Sequence, residues 1–212
     1  MGATLPHAIE MAGGTSAPHI KSLILPLIRS GSVLDFGAGQ GELLSMLPAG
    51  DLTGVDFLPR PPLPNHVQWH SRDLNQPINL GRTYDTIVCS EVIEHLENPR
   101  QTFRSIASML RPGGMLILTM PNQESIRSYL SLLTRGHFIQ FVATCYPAHI
   151  TALLRQDLLR LCAETGFESP KITFTNVGGI PKLPHITWQQ VSLRLLRGRL
   201  FSDNVILTSF HR

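Results

Sequence analysis

The chain has 212 residues, of which 42% are hydrophobic and 16% are charged, with a formal net charge of +3 and a pI of about 9.0. This length and composition predict one globular domain with a substantial core and exclude a disordered chain. The basic residues form no long run, so we do not expect nucleic acid as a partner. Three widely spaced cysteines argue against a zinc site or a disulfide framework and indicate a reducing compartment. The apolar run at 23–28 is too short for a signal segment or a membrane span, so we expect a cytoplasmic protein.

The first thirty residues divide into an arm and a helical segment. Residues 1–16 show little hydrophobic periodicity, which predicts a loose N-terminal arm. Residues 17–30 predict a helix that ends before Gly31, because glycine suits the position after a helix C-terminus. Pro26 lies inside this stretch and should kink or divide the helix.

A strand, a glycine turn and a helix N-terminus follow one another at 33–47. The apolar start predicts a buried strand, and leucines at helical spacing after the turn predict a helix. Between them, glycine occupies three alternate positions: Gly37, Gly39 and Gly41. Glycine accepts positive φ and leaves no Cβ between the backbone and a ligand, and the free N–H groups of the helix start face the turn. The stretch therefore predicts a ligand that lies against backbone at the carboxyl end of the first strand.

The spacing of this turn indicates the kind of ligand. A dinucleotide fingerprint reads Gly-x-Gly-x-x-Gly, whereas here Gly41 comes one residue early and Glu42 takes its place. An acidic side chain at that position would repel a pyrophosphate, and Asp35 before the turn likewise suits a cationic amino group. We predict a positively charged ligand without phosphates, which disfavours a nicotinamide dehydrogenase.

A carboxylate also ends the second predicted strand, at 52–57. Asp56 lies where a carboxylate can accept hydrogen bonds from both hydroxyls of a ribose, as in dinucleotide folds. Alternatively, Asp56 caps the turn that follows the strand. If Asp56 binds a ribose, Phe57 and Leu58 would flank the adenine.

Polar residues follow the next two predicted strands as well. After a short strand at 66–70, Asp73 can accept a hydrogen bond from an adenine amino group, or it can form a surface pair with Arg72. A buried strand at 87–89 then opens into a polar cluster, Ser90-Glu91. These positions lie at the same edge of the sheet as the glycine turn if the strands are parallel.

The alternation of strand and helix supports that arrangement. A helix begins at about Pro99 and a fifth buried strand covers 115–119. Residues 171–177 and 204–210 predict two more strands, the last an antiparallel strand at the sheet edge. We predict an α/β fold with a Rossmann-like, doubly wound sheet of seven strands, the last of them antiparallel.

Three stretches of this sequence resemble a known family. Asp-Phe-Gly-Ala-Gly-Gln-Gly at 35–41 resembles motif I of the class I S-adenosylmethionine-dependent methyltransferases. Cys-Ser-Glu-Val-Ile-Glu-His-Leu-Glu-Asn-Pro at 89–99 and Leu-Arg-Pro-Gly-Gly-Met-Leu-Ile-Leu-Thr-Met-Pro-Asn at 110–122 resemble motifs IV to VI of the small-molecule branch related to the ubiquinone-biosynthesis O-methyltransferases. The resemblance covers residues 30–122 in order and spacing.

The resemblance implies an enzyme that uses S-adenosylmethionine and releases S-adenosylhomocysteine. The cofactor-binding residues predicted in this way are Asp35, Gly37, Ala38, Gly39, Gly41, Asp56, Phe57, Asp73, Leu74, Ser90 and Glu91. The resemblance implies Asp35 and the glycine turn at the methionine end, and Asp56 on the ribose. It implies Asp73-Leu74 at the adenine and Ser90-Glu91 beside the methionine or the sulfonium.

The second half of the chain is expected to determine specificity for the methyl acceptor. Residues 123–135 and the leucines at 154–161 predict helices, and 184–200 predict an amphipathic insertion about one helix long. The expected division is a single methyltransferase domain, 1–212, with a flexible arm at 1–16, a cofactor-binding core at 17–122 and helical lid or acceptor-side segments at 123–165 and 180–200.

Three arginines accompany the insertion at 184–200, namely Arg194, Arg197 and Arg199. Stripes of this kind are usually packed against a core, as a lid would be. The alternative is peripheral contact with a membrane surface or an amphiphilic substrate. Vesicle co-sedimentation of the wild type and of a triple Arg→Ala variant tests the membrane alternative, which equal and negligible binding would remove.

Methyl transfer from a sulfonium is an in-line displacement, in which alignment and exclusion of water supply effective molarities of up to about 10⁵–10⁸ M. A phenol or alcohol acceptor must also lose a proton, so a base near the methyl group is expected but not obligatory. His95 at the cofactor rim and His149 in the acceptor-side segment are the candidates, with a structural hydrogen-bonding role as the alternative for each. His137 and Glu94 rank lower. No histidine pair has ligand spacing with nearby carboxylates, so we expect no metal site.

The acceptor is expected to be a small molecule, with oxygen as the leading acceptor atom and nitrogen or carbon still open. No Asn-Pro-Pro-Tyr-like tetrad follows the fourth strand, which disfavours a nucleobase or amide nitrogen. An RNA or protein methyltransferase is one alternative, and it would need a continuous basic surface. A cofactor-binding module without catalysis is another, favoured if residues 123–150 fill the acceptor side.

Overall fold

A computed structural model gives the structure of residues 18–212, so the predicted arm at 1–16 lies outside the described residues. The strands are β1 Val33–Phe36, β2 Leu52–Asp56, β3 Gln68–Ser71, β4 Tyr84–Ser90, β5 Leu110–Pro121, β6 Phe167–Phe174, β7 Gly179–Ile180, β8 Leu183–Thr187 and β9 Asn204–His211. The α-helices are α1 Pro18–Ile24, α2 Glu42–Met46, α3 Pro99–Met109, α4 Ile126–Arg135, α5 Arg155–Glu164 and α6 Trp188–Val191. Short 3-10 turns cover Leu25–Leu27, Ile93–His95, Ala143–Cys145 and Arg199–Phe201.

Seven strands form one sheet in the order β3-β2-β1-β4-β5-β9-β6. Strands β1 to β5 are parallel to one another, and β9 is antiparallel to both β5 and β6. The predicted doubly wound, seven-stranded sheet with an antiparallel last strand is confirmed. Its parallel order places the carboxyl ends of β1, β2 and β4 side by side at one edge, which is where such folds bind ligands.

The central strands are continuous apolar runs in the sequence because both faces of the sheet are buried. Along β5, Leu116 and Leu118 belong to the main core cluster, whereas Met115 and Ile117 face the opposite side, because successive side chains of a strand alternate. Helix α3 and helix α5 pack on the first face, and α1 packs on the second. Each face of the sheet is thus covered, as a doubly wound architecture requires.

The position of β9 differs from the prediction, which placed it at the sheet edge. The strand lies between β5 and β6, and β6 forms the edge. The reason is visible in its burial, because Val205, Ile206 and Leu207 are all at most 3% exposed, which suits a strand paired on both sides. The predicted strand at 171–177 is also shifted toward the N-terminus, to Phe167–Phe174.

The second half of the chain contains the predicted helices α4 and α5, but 184–200 does not form a full helix. The stretch begins in the β7–β8 hairpin, and its only α-helical segment is the single turn α6, which Thr187 caps through Gln190. Leu193 and Arg194 adopt positive φ of 49° and 65°, which ends any helix there. The apolar spacing that predicted a helix therefore belongs to a hairpin and a series of turns.

Across residues 18–212, every helix is too short or too polar to cross a membrane.

Candidate functional site

The glycine turn after β1 is shaped by close packing against the loop that follows β4. Gly37 and Gly39 adopt positive φ of 84° and 53°. A Cβ on Gly37 would lie 2.3 Å from Cγ2 of Val92, so only glycine fits this position without movement of Val92 or of the backbone. The N–H groups of Gly37 and Ala38 both reach the Val55 carbonyl, which ties the turn to β2. The turn is therefore a rigid backbone surface at the carboxyl end of β1.

Asp56 at the end of β2 joins the turn directly. Its Oδ2 accepts a hydrogen bond from the Gly39 N–H at 2.7 Å, and its Oδ1 accepts one from the Leu58 N–H at 2.9 Å. These bonds fix the carboxylate at the mouth of the turn. A carboxylate offers about four lone-pair sites, so two remain for a ligand's hydroxyl groups.

Asp35 is the second acid beside the turn, and it is only 4% exposed. Burial, reinforced by the neighbouring Asp56 charge, raises the pKa of the Asp35 carboxyl to about 7, although Lys21 opposes the shift. Lys21 of α1 is itself buried and forms an ion pair with Glu42, the first residue of α2. A carboxyl group held in this way gains from any additional positive charge placed beside it.

The residues predicted to flank an adenine lie in two loops. Phe57 is 42% exposed, whereas Leu58 is buried at 2%. Asp73 is exposed, and its Oδ1 accepts a hydrogen bond from the Asn75 N–H at 3.0 Å. Leu74 packs against the main core cluster. The alternative pairing of Asp73 with Arg72 is not among the ion pairs of the described residues.

Ser90 ends β4, Glu91 follows it, and both are hydrogen-bonded to Thr119 of β5. Oγ1 of Thr119 donates to Oε1 of Glu91 at 2.8 Å, and Asn204 donates to its Oε2 at 2.8 Å. The Ser90 hydroxyl lies 2.9 Å from the same Thr119 oxygen. Glu91 adopts a φ of 56°, which is a strained conformation for a non-glycine residue and is retained by these contacts. Burial raises the pKa of the Glu91 carboxyl to about 7.

A third group of side chains lies where the 3-10 turn Ile93–His95 meets the loop before α5. The His95 and His149 rings stand edge to face, with centroids 4.7 Å apart. Nδ1 of His95 donates to the Ala148 carbonyl at 2.8 Å, and Nδ1 of His149 donates to the Gln140 carbonyl at 2.6 Å. One potential ligand atom from each of Glu94, His95 and His149 lies within 4.8 Å of the others.

Burial governs the proton affinity of this group. It lowers the pKa of His95 to about 4, with the Ala148 carbonyl opposing the shift, and it also lowers the pKa of the less enclosed His149. Burial and the nearby Glu91 hold the pKa of the Glu94 carboxyl well above its usual value. Both imidazoles are therefore neutral near pH 7, with Nε2 as the nitrogen that keeps a lone pair.

Comparison with known proteins identifies the family. The methyltransferase domain family matches residues 14–170, which is most of the chain. The chain belongs to this methyltransferase family. The resemblance to class I S-adenosylmethionine-dependent methyltransferases found in the sequence is thereby confirmed.

Curated relatives of this methyltransferase include two bacterial ubiquinone biosynthesis O-methyltransferases. The protein from Aliivibrio fischeri strain MJ11 is 28% identical over 156 residues, which cover 66% of this chain and 65% of that protein. The protein from Xanthomonas euvesicatoria is 30% identical over 154 residues, which cover 61% of this chain and 62% of that protein. The chain thus matches slightly less than two thirds of the length of each relative.

Solved structures share the fold of the methyltransferase at low sequence identity. A methyltransferase from Thermotoga maritima, described as a possible histamine N-methyltransferase, has a TM-score of 0.63 and 15% identity, over 91% of this chain and 87% of that chain. The N-methyltransferase NodS from Bradyrhizobium japonicum, crystallised with S-adenosylhomocysteine, has a TM-score of 0.58 and 17% identity, over 96% of both chains.

The residues at the glycine turn of the methyltransferase fit the cofactor of the family, which carries an amino group, a sulfonium and a ribose but no phosphate. Within residues 18–212, the Asp35 carboxylate makes no side-chain hydrogen bond, so a cation beside it would supply its missing partner. Glu42 occupies the position that the third glycine has in a dinucleotide fingerprint, and its carboxylate pairs with Lys21. This arrangement favours a phosphate-free cation over a dinucleotide.

Some residues that contact the candidate site of the methyltransferase were not predicted from the sequence. Thr119 and Asn204 hold Glu91, but each is an ordinary polar residue within a predicted strand and gave no signal. Lys21 was detectable in principle as a charged residue on the apolar side of a short helix. Glu94 was ranked below His95 and His149, although it completes their cluster.

The arginines at 184–200 are partly engaged with the methyltransferase itself. Arg199 pairs with Glu124 at 3.2 Å, and Nε of Arg197 donates to the Arg194 carbonyl at 2.6 Å. Leu193 and Leu195, on either side of Arg194, are 87% and 83% exposed. Peripheral contact of this stretch with a membrane surface or an amphiphilic substrate stays a prediction. Its apolar contribution would come from these exposed leucines and not from one face of a helix.

Proposed function

We propose that this protein transfers a methyl group from S-adenosylmethionine to an oxygen atom of a small-molecule acceptor. The observation that carries the proposal is the Asp35 carboxylate, buried beside a glycine turn that Asp56 holds in place. Such a site suits a cationic nucleoside and opposes a diphosphate. The bacterial relatives named as ubiquinone biosynthesis O-methyltransferases support oxygen as the acceptor atom.

Each predicted cofactor residue has a role in this proposal. Asp56 accepts hydrogen bonds from the ribose hydroxyls through its remaining lone pairs. Asp35 attracts the amino group of the cofactor's methionine part. The nearby Lys21 is the cation available for the carboxylate of that methionine part. The Asp73-Leu74 and Phe57-Leu58 pairs border the adenine, and Ser90-Glu91 border the methionine or the sulfonium.

The acceptor side is formed by His95 and His149. The cofactor supplies an electrophilic methyl group when bound, and the chain must align the acceptor oxygen with it and exclude water. His149 is the better general base, because His95 with a pKa of about 4 holds a proton weakly. Its Nδ1 bond to Gln140 fixes the ring so that Nε2 is free to accept the acceptor's proton.

A methyl-release assay over a panel of phenols, catechols, alcohols and amines tests this function. We expect transfer to a hydroxyl acceptor, with the methylated product identified by mass spectrometry. His149→Gln should lower kcat by about 10²–10⁴-fold, the usual contribution of an acid or base, while leaving S-adenosylhomocysteine affinity unchanged. The surface variant His66→Gln is the matched control, since His66 is exposed in the segment before β3. Cofactor binding without turnover on any acceptor would favour the non-catalytic alternative and contradict the proposal.

A further inference from the structure

The basic and acidic residues of the chain are unevenly divided along the sequence. Residues 125–156 and 169–202, which overlap the expected acceptor-side segments, contain eight of the 18 arginines and lysines and none of the 15 aspartates and glutamates. The rest of the chain, which includes the glycine turn, holds all the acids. The acceptor side therefore carries positive charge, whereas the cofactor side carries the acids that suit a cationic cofactor.

Two of these arginines converge on one carboxylate. Nε of Arg155 donates to Oε2 of Glu124 at 3.2 Å, and Nη1 of Arg199 donates to Oε1 of Glu124 at 3.2 Å. The Glu124 side chain is 12% exposed, whereas the side chains of Arg155 and Arg199 are 40% and 45% exposed. Among the ion pairs of residues 18–212, neither arginine has a second acidic partner. Two positive charges thus face one negative charge.

Glu124 lies at the edge of the sheet where the cofactor and the acceptor are expected to meet. β5 is parallel to β4, with Thr119 opposite Ser90, so both strands end at this edge. Glu124 comes three residues after the last residue of β5. The pair of arginines is therefore placed beside the carboxyl ends of the strands and not at the opposite end of the sheet.

The two arginines belong to separate acceptor-side segments. Arg155 is the first residue of α5 and follows the loop that contains His149. Arg199 lies at the end of the 184–200 insertion, in a 3-10 turn. The Asn122 side chain donates to the Arg199 carbonyl at 2.7 Å, which fixes this turn to the end of β5. The shared carboxylate thus joins both segments on the acceptor side.

Most hydrogen-bond donors of the two guanidinium groups are unused within residues 18–212. A guanidinium has five N–H donors in a fixed planar fork. The Arg155 side chain donates only through its Nε and the Arg199 side chain only through its Nη1, both to Glu124. This carboxylate holds the two groups in place, and both side chains reach the solvent. The remaining donors match the oxygens of a carboxylate or a phosphate.

Other basic residues of the two regions do not extend this group into a surface for a polyanion. Arg127 forms an ion pair with Asp203 at 3.1 Å. Arg197 is turned to the backbone, since its Nε donates to the Arg194 carbonyl at 2.6 Å. A nucleic acid needs a series of free cations, whereas one unbalanced guanidinium suits a small molecule with one anionic group.

We propose that the methyl acceptor carries an oxyanion, as a carboxylate or a phosphate does, and that Arg155 and Arg199 bind it. This inference rests on the proposed function, because it names a class of acceptor for the same site. The two guanidinium groups bind the anionic group, while the acceptor hydroxyl faces the methyl group of the cofactor. Arg155 and Arg199 thereby determine specificity, since a neutral acceptor leaves their free donors without a partner.

Paired acceptors test this assignment. The panel holds hydroxylated carboxylic acids beside their amides, and phosphate monoesters beside their parent alcohols. Titration into the protein bound to S-adenosylhomocysteine measures affinity, and methyl release from S-adenosylmethionine measures kcat and KM. We expect at least one charged acceptor to bind and react, with a KM about 10–100-fold lower than that of its neutral counterpart, as charge-assisted hydrogen bonds predict.

Variants of the two arginines show whether they cause this preference. Arg155→Gln and Arg199→Gln should each raise the KM of the charged acceptor by about 10-fold or more, with little change in kcat or in the affinity for S-adenosylhomocysteine. Unchanged binding of S-adenosylhomocysteine also shows that each variant folds. Arg199→Lys, which keeps the charge but not the planar fork, should keep part of the preference.

Arg194→Gln is the matched control, because it removes the same charge from the same insertion. In the described part of the chain, the Arg194 side chain forms no ion pair with Glu124. The variant should therefore keep the preference for the charged acceptor. An equal loss in Arg194→Gln would assign the preference to the general charge of this surface and overturn the inference.

Equal KM and affinity for charged and neutral acceptors also overturn the inference, as does a panel in which no charged acceptor binds. Binding of the wild type to phosphatidylglycerol vesicles, without a preference for charged acceptors, would assign the arginines to a membrane surface and likewise contradict it. If neutral hydroxyl acceptors are methylated equally well, only this inference fails. If a charged acceptor binds through the two arginines but no methyl group is transferred, the arginine site stands and the proposed function fails.

Discussion

Asp35 combines burial with a position beside the glycine turn, where the proposed function places the cofactor. The groups that face it are Asp56, which opposes its ionisation, and Lys21, which favours it. A carboxyl group with a pKa of about 7 is mostly protonated at pH 6 in the ligand-free protein. A cationic ligand favours the ionised form, so its binding must release a proton wherever Asp35 is still protonated.

The affinity for S-adenosylmethionine should therefore rise with pH through the Asp35 pKa. Between pH 6 and pH 7 we expect an increase of about fivefold, as linkage predicts for one group of pKa near 7. Calorimetry in two buffers of different ionisation enthalpy measures both the affinity and the released proton. Asp35→Asn should bind more weakly and without this pH dependence. If the variant keeps the same pH dependence, Glu91 and not Asp35 is the group that titrates.

At the scale of the element, the glycine turn and the loop after β4 support each other. Gly37 combines a φ of 84° with a missing side chain that leaves room for Val92. Gly81 offers a matched comparison, because it has a φ of 70° but no atom within 4 Å of a built Cβ. Comparing alanine variants of these two glycines separates the destabilisation that positive φ causes from the destabilisation that the clash with Val92 causes.

Gly37→Ala should destabilise the protein more than Gly81→Ala. We expect about 1 kcal/mol for Gly81→Ala, from conformational strain alone, and a further 1–3 kcal/mol or so for Gly37→Ala from overpacking against Val92. Urea denaturation of both variants measures the difference. The double variant Gly37→Ala/Val92→Ala should recover part of the second contribution. Equal losses for the two glycines would show that Val92 does not restrict the turn.

The elements differ in how far the sequence determines them. β1, β4 and β5 could be predicted because each is a buried apolar run, and the residues that follow them are polar or glycine. The insertion at 184–200 was expected to be about one helix long, but it does not form a full helix. Val191 and Leu195 have helical spacing, but Leu193 and Arg194 between them adopt positive φ, and both apolar side chains are exposed to solvent. Spacing alone does not report whether an apolar residue has a core to pack against.

At the scale of the whole molecule, the features that could not be predicted are those that depend on contacts between residues far apart in the sequence. The neighbours of β9 depend on pairing with β5, roughly 90 positions earlier in the chain, so local pattern does not determine them. The Glu94, His95 and His149 cluster likewise forms only because the loop before α5 bonds back to the Glu94 carbonyl. The place of the glycine turn beside the ends of β2 and β4 was easier to predict, since the strand order follows from alternating strands and helices.

The sheet places the carboxyl ends of three strands around one turn, and the proposed function depends on which ligand binds there. Calorimetric titration of the wild type with S-adenosylhomocysteine and with NAD, beside Asp56→Ala, tests this most directly. We predict one S-adenosylhomocysteine per chain, no binding of NAD, and an affinity lower by roughly 10–100-fold in Asp56→Ala, as expected for lost hydrogen bonds to a charged group. Circular dichroism of that variant checks that the turn held by Asp56 still folds. Preferential binding of NAD, or unchanged affinity in a folded Asp56→Ala variant, would contradict the account.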